Sequence, residues 1–435
     1  MKTELFIVNK LLIGSKGSFS GFIIRIAIGA IALSMATMII TGSFVNGFQR
    51  EIRSKIFGFW AHLHIMPYSL SRSMEDQGTY KYQDFYRNRL DIPGVQNIHC
   101  SALKGGLLKA GDSFEGVVLK GLDEDFDTSL LKPYLCSGHF FSFDTSKLRK
   151  GIILSTYTAR KLNLKPGDNV NIRFPGTEIR TRPFKISGLY ETGLEEVDNR
   201  YVLTDLSAIQ ELNAWGKDTI GFFEVMLSGK DLFKSRFDAY AIKLFGPFLS
   251  EESYRKLAAD PIDQSAEEVS KWIENPELDV QTIKNSFPGI FEWLELQDMN
   301  ELIILSLMLL VACMNMMTCL LILIMERSHM IGLLKALGAD SFSIGKLFLL
   351  MSSIIIVLGL LLGNVAGIGL CILQESTQIL KLPKESYYLD AAPVSINWLW
   401  IGGLNIFILI FCTLFMILPS WLISRIHPVT VLKAD

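Results

Sequence analysis

The stretch from Leu302 to Ile324 reads LIILSLMLLVACMNMMTCLLILI and contains no charged side chain. A helix needs roughly 20 predominantly apolar residues to cross the hydrocarbon core of a bilayer. This stretch is long enough to cross and too apolar to remain exposed to water. It therefore predicts a transmembrane helix.

Three further runs have the same character. They are Ile26–Phe48, Leu347–Leu373 and Ile396–Ile423, and none contains a charged residue. The first run is much longer than the apolar core of a signal peptide, about 7–15 residues, so we interpret it as a permanent helix. With 435 residues, 49% of them apolar, and a mean hydropathy of +0.32, the chain is predicted to be an integral membrane α-helical protein with four transmembrane helices.

Basic residues near the ends of these runs predict the orientation, because cytoplasmic loops are enriched in Lys and Arg. They lie before the first run, between the second and third, and after the fourth: Lys2, Lys10, Lys16, Arg25, Arg327, Lys335, Lys346, Arg425 and Lys433. The loop 374–395 is balanced instead, with Lys381 and Lys384 against Glu375, Glu385 and Asp390. Both termini are therefore predicted to be cytoplasmic, and residues 49–299 to be outside.

Residues 49–299 have the composition of an ordinary mixed α/β domain, inserted between the first and second transmembrane helices. The predicted strands are Gly116–Lys120, Gly151–Leu154, Asn169–Phe174, Phe184–Leu189 and Arg200–Leu203. A helix is predicted over Thr156–Leu162, Asp205 is placed to cap another, and residues 230–275 are predicted to be mostly helical. Within residues 1–25, Glu4–Leu12 is predicted either as an interfacial helix or as a frayed tail.

The sequence lacks the residue patterns that several kinds of chemistry require. No G-x-x-x-x-G-K-[ST] phosphate loop occurs, so the chain is not expected to hydrolyse ATP and is not predicted to be an enzyme. His62 and His64 share one face of a predicted strand, but a metal site needs a further Cys or carboxylate. The acidic cluster from Asp123 to Asp127 lacks the pattern of a calcium loop and is predicted to be a solvated loop. We expect no metal site and, at a net charge of −2, no nucleic acid partner.

Cys100 and Cys136 lie in the region 49–299, which is predicted to be outside. Whether they form a disulfide is left open by the sequence, because two cysteines do not make a disulfide framework. The transmembrane runs are more informative, since ion-coupled transporters keep ionisable residues in the bilayer. None of the four runs contains one. A secondary transporter is therefore disfavoured, and any driving energy is expected to come from outside the bilayer.

The loop between the second and third runs contains an amphipathic segment. Met330, Leu333, Leu334 and Leu337 follow i, i+3, i+4, i+7 spacing and predict one apolar stripe on a helix. Gly338 is placed to end that helix in a left-handed turn, and Asp340 to cap the next one. Two interpretations remain open at this point: a helix lying on lipid, or a knob that fits a groove on a partner protein.

Nearly the whole chain resembles a known family. The motifs that carry the resemblance are Val45-Asn-Gly-Phe48, Gln49-Arg-Glu-Ile52, Lys120-Gly-Leu-Asp123, Lys165-Pro-Gly-Asp168, Gly193-Leu-Glu-Glu-Val-Asp198, Phe287-Pro-Gly-Ile-Phe291, Asn315, Gly332–Ala339, Tyr387-Tyr-Leu-Asp390 with Pro393, and Pro419–Lys433. Their order and spacing resemble the type VII ABC transporter permeases of the FtsX/MacB type. The similarity is greatest to the lipoprotein-releasing permeases of Gram-negative bacteria.

The resemblance implies a division of the chain. It consists of an N-terminal segment (1–25), the first transmembrane helix (26–48), a MacB-like periplasmic core domain (49–299), the second helix (300–325), a cytoplasmic coupling helix (326–343), the third helix (344–373), a short periplasmic loop (374–395), the fourth helix (396–423) and a cytoplasmic tail (424–435). Residues 300–430 then form an FtsX-like permease domain. The protein would lie in the bacterial inner membrane.

The resemblance also implies partners. A separate cytoplasmic ABC ATPase dimer, which binds ATP and Mg²⁺, would engage the coupling helix; the chain itself needs no cofactor. The coupling residues are Glu326, Arg327, Met330, Leu333, Leu334, Lys335, Leu337, Gly338 and Ala339. A second permease chain, identical or paralogous, would complete a cavity for lipoprotein cargo. The residues of this chain that are candidates for lining the cavity are Met35, Met38, Ile39, Phe44, Asn46, Phe48, Leu305, Met308 and Asn315.

A periplasmic lipoprotein carrier would receive the cargo. The hairpin of this chain that is the candidate docking site for the carrier contains Pro175, Arg180, Arg182 and Pro183. It is shorter than the hairpin of the family member that docks the carrier. An ordinary β-hairpin whose charges protect an edge strand is the alternative. Two other functions stay open: efflux through a MacB-like pump, and FtsX-like mechanotransmission to a periplasmic cell-wall hydrolase without cargo movement.

Overall fold

A computed structural model describes residues 19–68, 77–111, 113–141, 143, 151–175, 180–228, 250–251, 253, 260–383 and 387–420. They form two compact units. The helical unit contains residues 1–50, 293–381 and 391–435, and the α/β unit contains residues 51–292 and 382–390. The predicted interfacial segment Glu4–Leu12, most of the helical prediction for residues 230–275 and the tail 424–435 lie outside the described residues.

The described helices, in chain order, are α1 (Phe19–Trp60), α2 (Asp84–Arg87), α3 (Thr156–Lys161), α4 (Glu195–Asp198), α5 (Leu206–Asn213), α6 (Pro261–Ser270), α7 (Ile283–Ser286), α8 (Pro288–Glu326), α9 (Ser328–Ala336), α10 (Ser341–Thr377), α11 (Trp398–Phe415) and α12 (Ile417–Ser420). The described strands are β1 (Leu63–Pro67), β2 (Thr79–Tyr80), β3 (Val95–Ala110), β4 (Ser113–Leu122), β5 (Leu135–Gly138), β6 (Gly151–Ser155), β7 (Asn169–Phe174), β8 (Arg180–Tyr190), β9 (Tyr201–Asp205), β10 (Thr219–Ile220), β11 (Phe222–Leu227) and β12 (Leu278–Thr282).

Four of the described helices are long and apolar enough to cross a membrane: α1, α8, α10, and α11 continued into α12. The first three contain the whole of a predicted apolar run, and α11 with α12 contains residues 398–420 of the fourth run, Ile396–Ile423, so the runs are confirmed as helical over these residues. α1, α8 and α10 extend well beyond the apolar run that predicts them.

The helical unit packs α1 closely against α10. A Cβ atom at Gly359 would lie 2.7 Å from Ile31 Cβ, and one at Gly363 would lie 2.6 Å from Met35 Cβ and 2.7 Å from the Ala32 carbonyl oxygen. Small residues allow such close approach between membrane helices, where van der Waals packing replaces the hydrophobic driving force. The four-residue spacing of these glycines therefore positions α10 along α1.

A pair of amides joins α10 to α11. Asn364 Nδ2 donates to Asn405 Oδ1 at 2.7 Å, and Asn405 Nδ2 donates to Asn364 Oδ1 at 3.1 Å. Each amide also donates to a carbonyl of its own helix, at Leu360 and Ile401 respectively. The two polar side chains therefore satisfy one another in an apolar segment without any charge.

The α/β unit is built on a ten-stranded mixed sheet, in the order β12-β1-β11-β3-β4-β9-β6-β8-β5. β7 pairs with both β3 and β8, so β3, β4, β9, β6, β8 and β7 close into a ring. Alternate side chains of β7, Val170, Ile172 and Phe174, are buried, and those between them are exposed. This alternation is what a sheet with one buried face requires.

The predicted strands are confirmed, with most of them longer in the structure. Asn169–Phe174 has the predicted bounds, while Gly116–Lys120 is part of β4 and Phe184–Leu189 part of β8. Asp205 caps α5 as predicted, because its Oδ1 accepts from the Ser207 amide at 2.8 Å. Asp340 stands immediately before α10, at its N-cap position, but makes no side-chain capping bond there. Of residues 230–275, the described part from 260 contains α6.

Candidate functional site

The loop between α8 and α10 folds into the short helix α9, whose two sides differ. Ile331 and Gly332 are buried, and Met330, Leu334 and Ala339 pack against the apolar core of the helical unit. Leu333 is 50% exposed and Leu337 is 77% exposed. The predicted apolar stripe is therefore divided: Met330 and Leu334 anchor the helix to its own unit, and Leu333 and Leu337 point outward.

The end of α9 follows the sequence prediction. Gly338 has a φ of +92° and ends the helix in a left-handed turn, and the Ala339 amide donates to the Leu334 carbonyl at 2.9 Å. Glu326 is exposed at the start of the loop, while Arg327 and Lys335 are half-buried. The large apolar side chains exposed in this loop and in the adjoining helix ends are Met325, Leu333, Leu337 and Phe342.

Three of the candidate cargo residues lie inside the helical unit. Met35, Met38 and Ile39 of α1 are buried, and Met35 and Ile39 face Gly363 and Gly367 of α10. Apolar residues on every face of a membrane helix look alike in sequence. Their sequence positions therefore gave no indication that they contribute to the packing between α1 and α10.

The other candidates are half-buried. Phe48 makes an edge-to-face contact with Trp293 at 5.1 Å between ring centroids, and Asn46 Nδ2 donates to the Ser395 carbonyl at 3.3 Å. Phe44 and Asn315 are also half-buried, and Leu305 and Met308 pack against the apolar core. Adjacent to them, α8 exposes Ile303, Leu307, Leu310 and Met314 along one face. These side chains follow i, i+4, i+7, i+11 spacing.

A cavity of about 590 Å³ lies elsewhere in the helical unit, between α10 and α11. Its lining includes Leu349, Ile354, Leu409 and Leu414 and is almost wholly apolar. None of the candidate cargo residues lines it.

The candidate docking hairpin is formed by β7 and β8. Pro175, Arg180, Arg182 and Pro183 are all exposed, and Arg180 Nη1 donates to the Leu212 carbonyl at 3.1 Å. β7 is not an edge strand, because it pairs with β3 as well as with β8. Residues 180–183 of β8, however, pair only with β7 among the described strands, so the alternative of a charged edge stays open for Arg180 and Arg182. Residues 176–179 of the turn lie outside the described part.

A buried row of polar side chains crosses the sheet, and the sequence prediction missed it. His64 on β1 is directly opposite Glu224 on β11, which is directly opposite His99 on β3. Lys120 on β4 completes the row, with its Nζ 2.7 Å from Glu224 Oε1. Lys120 and Glu224 are both 0% exposed.

Glu224 is satisfied on both oxygens. His99 Nε2 lies 3.0 Å from Oε2, Ser101 donates to the same oxygen, and His64 Nε2 lies 3.5 Å from Oε1. Burial raises the pKa of Glu224, but Lys120 and the two histidines outweigh it and hold that pKa well below its usual range. Glu224 is therefore an anion at neutral pH. Burial lowers the pKa of Lys120, and Glu224 opposes this effect.

The row also corrects the expectation for the two histidines. A carboxylate does lie beside His64, contributed by β11, and His62 Nδ1 accepts from the Leu227 amide at 3.2 Å. Burial lowers the pKa of His62 to about 4, so this ring is neutral. Among the described residues, no group of three or more His, Cys, Asp or Glu side chains is placed to hold a metal ion.

The acidic cluster is more structured than the predicted solvated loop. Asp123 is buried with Lys81 Nζ at 3.4 Å, Asp125 accepts from Tyr86 at 2.6 Å, and Asp127 caps a short 3-10 helix. The prediction was wrong for Asp123 and Asp125, because their partners Lys81 and Tyr86 come from a distant part of the chain, while Glu124 and Asp127 are exposed as predicted. Cys100 is buried and Cys136 exposed, and no disulfide joins them.

A second buried lysine lies on the outer part of α1. Lys55 Nζ donates to the Thr192 carbonyl at 2.6 Å and to the Tyr388 carbonyl at 3.0 Å. Thr192 is itself held by Asp198, which accepts from its amide at 3.1 Å and its hydroxyl at 2.7 Å. The motifs that begin at Gly193 and Tyr387 therefore meet around one ammonium group.

One sequence signal could have identified this network. Lys120 and Glu224 each interrupt a continuous apolar strand, GVVLKGL and FFEVML. Lys and Glu are almost never fully buried without a partner, so a single charge in a buried strand predicts a partner of opposite charge. Which partner it is depends on the strand order, because 104 residues separate the two in the chain.

Two family models match the chain. Residues 26–234 match the MacB-like periplasmic core domain, and residues 302–428 match the FtsX-like permease C-terminal domain. The α/β unit contains most of the first match, and the helices α8, α10 and α11 contain most of the second.

Individual relatives are similar over most of the length. "Lipoprotein-releasing system transmembrane protein LolC" of Xylella fastidiosa is 21% identical, with 97% of this chain and 96% of that protein covered. "Lipoprotein-releasing system transmembrane protein LolE" of Haemophilus influenzae is 20% identical, with full coverage of both. The periplasmic region of MacB from Actinobacillus actinomycetemcomitans has a solved structure that covers 53% of this chain and 92% of that one, at 13% identity and a TM-score of 0.33. The chain thus resembles the LolC/LolE-type ABC transporter permeases over most of its length, and its apolar helices and the two family-model matches indicate a multi-pass inner-membrane protein with a MacB-like periplasmic core domain.

Proposed function

We propose that the chain is the permease subunit of an ABC transporter that extracts lipoproteins from the outer leaflet of the inner membrane. The transporter passes them toward the outer membrane and is driven by a separate ATPase. The observation that carries this proposal is the similarity to a lipoprotein-releasing protein over 97% of this chain and 96% of the relative. Both the helical part and the α/β part are included in that match.

The physical task fits an external source of energy. Each buried methylene of an acyl chain contributes about 0.8 kcal/mol to membrane anchoring. Three acyl chains therefore hold a lipoprotein by tens of kcal/mol, on the order of magnitude given by the same principle. The four apolar runs contain no ionisable residue to couple an ion gradient to release. We assign ATP and Mg²⁺ to a partner ATPase dimer.

In the proposed topology both termini and α9 are cytoplasmic. The α/β unit is periplasmic and inserted between the first and second transmembrane segments, and the loop 374–395 is periplasmic too. The basic residues beside the apolar runs support this orientation. The domain boundaries follow the sequence division, with transmembrane segments 26–48, 300–325, 344–373 and 396–423.

The ATPase contact is assigned to the outward side of α9. Leu333 and Leu337 are the apolar side chains that this helix exposes, with Glu326 and Lys335 beside them. Met330 and Leu334 hold the helix to its own unit, so a push on α9 reaches α8 and α10 directly. An amphipathic helix that docks in a groove on a partner protein uses such anchors.

The cargo is assigned to the free face of α8 together with the outer part of α1. Ile303, Leu307, Leu310 and Met314 are exposed, with Leu305, Met308, Asn315, Phe44 and Phe48 beside them. Met35, Met38 and Ile39 would set the spacing of α1 and α10 rather than touch an acyl chain. A second permease chain, identical or paralogous, would close the cavity. The exposed hairpin with Pro175, Arg180, Arg182 and Pro183 would meet the periplasmic carrier.

Depletion of the protein followed by membrane fractionation tests the function. We expect outer-membrane lipoproteins to be retained in the inner membrane, because they cannot leave it spontaneously. Normal lipoprotein sorting combined with drug hypersensitivity would contradict the proposal and favour efflux.

The ATPase contact is tested by replacing Leu333 and Leu337 with Asp. We expect loss of lipoprotein-stimulated ATP hydrolysis, since two carboxylates cannot enter an apolar groove unpaired, while the permease still inserts. Leu90→Asp is the matched control, because Leu90 is 80% exposed in the α/β unit. Stimulation that survives in the Leu333/Leu337 variant would show that α9 is not the contact.

A further inference from the structure

The outer end of α1 runs into the sheet of the α/β unit. After Trp60 the chain turns at Ala61, whose φ is +55°, and the His62 amide then donates to the Val225 carbonyl of β11. The last residues of the helix and the first strand are therefore continuous. The strand that continues from this helix end, β1, is the second from one edge of the sheet.

Two buried basic side chains hold the last carbonyls of α1. Lys120 Nζ donates to the Phe59 carbonyl, and His64 Nε2 lies 2.8 Å from the Trp60 carbonyl. The carbonyls at a helix C-terminus lack partners within the helix and carry partial negative charge. A buried ammonium group satisfies both needs. The rings of Trp60 and Phe59 also lie over it, at 4.1 Å and 5.0 Å from Nζ to the centroids.

Glu224 connects this attachment to the sheet. Its carboxylate binds Lys120, His99 and Ser101, so the contact at the helix end extends across the adjacent strands β1, β11, β3 and β4. Directional, charge-assisted hydrogen bonds fix geometry more strongly than apolar packing does. A buried ion pair adds little stability compared with well-packed apolar residues, so stability alone does not account for it.

Lys55, one turn earlier on α1, makes the second attachment. Its ammonium group joins the Thr192 loop to residue 388, whose φ of +60° is rare for a Tyr. Residues 382–390, which connect α10 to α11 in sequence, belong to the α/β unit. Lys55 therefore ties that connection to the same helix end.

We propose that Lys120 and Glu224, supported by Lys55, form a joint through which movement of α1 displaces the sheet of the α/β unit. Lys120 acts as a positioning residue for lipoprotein release, and this role rests on the function proposed above. The segment it positions is the helix end from Phe59 to Trp60.

The test distinguishes loss of the joint from the destabilisation caused by an unpaired buried charge. Lys120→Met leaves Glu224 buried and unpaired, so folding itself is expected to suffer. The double variant Lys120→Met/Glu224→Gln removes both charges at nearly constant side-chain volume. Like the single variant, it leaves the Phe59 carbonyl without the Lys120 donor. Lys161→Met is the control, because Lys161 pairs with Glu115 at the surface of the same unit.

The variants are reconstituted as full-length chains with the partner ATPase in liposomes, and lipoprotein released per ATP hydrolysed is measured. We expect thermal unfolding of the double variant close to wild type and a release ratio at least about tenfold lower, a change of about 1.4 kcal/mol. The control should match wild type. A double variant that unfolds and releases like wild type overturns the proposal. If it fails to fold, Lys55→Met replaces it, with the same reduction expected and an unchanged release ratio counting against the joint.

A second measurement does not depend on the cargo. Hydrogen exchange of the β4 and β11 amides is compared with and without ATP and vanadate. We expect nucleotide to change this exchange in the wild-type complex but not in the double variant or in Lys55→Met. A wild-type sheet that does not respond to nucleotide overturns the joint. If nucleotide changes the exchange of the wild-type sheet but no lipoprotein is released, the joint is supported and the proposed function is contradicted.

Discussion

In the apolar runs of the helical unit, a pair of neutral amides joins two helices, whereas in the α/β unit a pair of ions joins two strands. Asn364 and Asn405 share two hydrogen bonds, while Lys120 and Glu224 form a fully buried pair. A charge in the middle of a bilayer costs several kcal/mol, about 2.5–3.5 on insertion scales. A charge inside a protein sheet is tolerated when every hydrogen bond is satisfied.

The difference teaches where each unit obtains its rigidity. The helices α1 and α10 are held by close approach at Gly359, Gly363 and Gly367, which limits how near the two helices can come to one another. The row from His64 to Lys120 fixes direction as well as distance. The joint proposed above depends on the second kind of contact.

The largest expected effect comes from filling the glycine contact. Gly363→Leu places a side chain where a Cβ already lies 2.7 Å from the Ala32 carbonyl oxygen. Because backbone cannot give way locally, α1 and α10 must separate, at an expected cost of about 3 kcal/mol or more. The yield of monodisperse Gly363→Leu protein in detergent, compared with wild type, measures this destabilisation.

Gly369→Leu is the matched control on the same helix, since no atom lies within 4 Å of a Cβ there. It should leave the yield unchanged. Equal losses for the two variants would mean that the spacing of α1 and α10 is not set by glycine.

The next effect is a pH dependence confined to the α/β unit. Burial lowers the pKa of His62 from 6.5 to about 4, so below pH 6.5 the unfolded chain binds a proton that the folded chain refuses. Stability is therefore complete above about pH 6.5 and falls as the pH drops toward 4. The total loss is about 3 kcal/mol, at about 1.4 kcal/mol per pKa unit.

Hydrogen exchange of the Leu227 amide, which donates to His62 Nδ1, follows this loss after correction for intrinsic rates. His62→Asn should flatten the dependence, because an amide oxygen accepts the same bond and does not titrate. His139→Asn, at an exposed site, should leave the dependence as in wild type. A pH profile identical in wild type and His62→Asn would contradict the assignment.

The smallest effect concerns the amide pair of the membrane helices. A double-mutant cycle with Asn364→Leu and Asn405→Leu should give a coupling energy of about 1 kcal/mol, the range found for hydrogen bonds between membrane helices. Unfolding of the full-length chain in mixed micelles provides the free energies. The pair Asn364→Leu and Ser353→Ala should be additive, since Ser353 donates to Leu349 of its own helix. Additive effects for the two asparagines would remove them as a link between α10 and α11.

The candidate site was only partly predictable. The spacing of Met330, Leu333, Leu334 and Leu337 predicted a short amphipathic helix, and Gly338 predicted its end. Which two leucines remain outside depends on how α9 packs on its own unit. The acidic cluster was misinterpreted because the partner of Asp125, Tyr86, lies 39 residues earlier in the chain.

The sequence by itself determined the class of the protein. Four charge-free runs require a membrane because no other environment accepts so much apolar surface, and alternating or apolar segments between turns required strands. Tertiary structure alone decided which residues touch. It placed Met35 and Ile39 against α10 and Leu307 and Met314 at the surface, although the same requirement for apolarity applies to all four. It also brought Glu224 to Lys120 and both to the end of α1, because hydrogen-bonded strand order, and not distance along the chain, determines which buried charges meet.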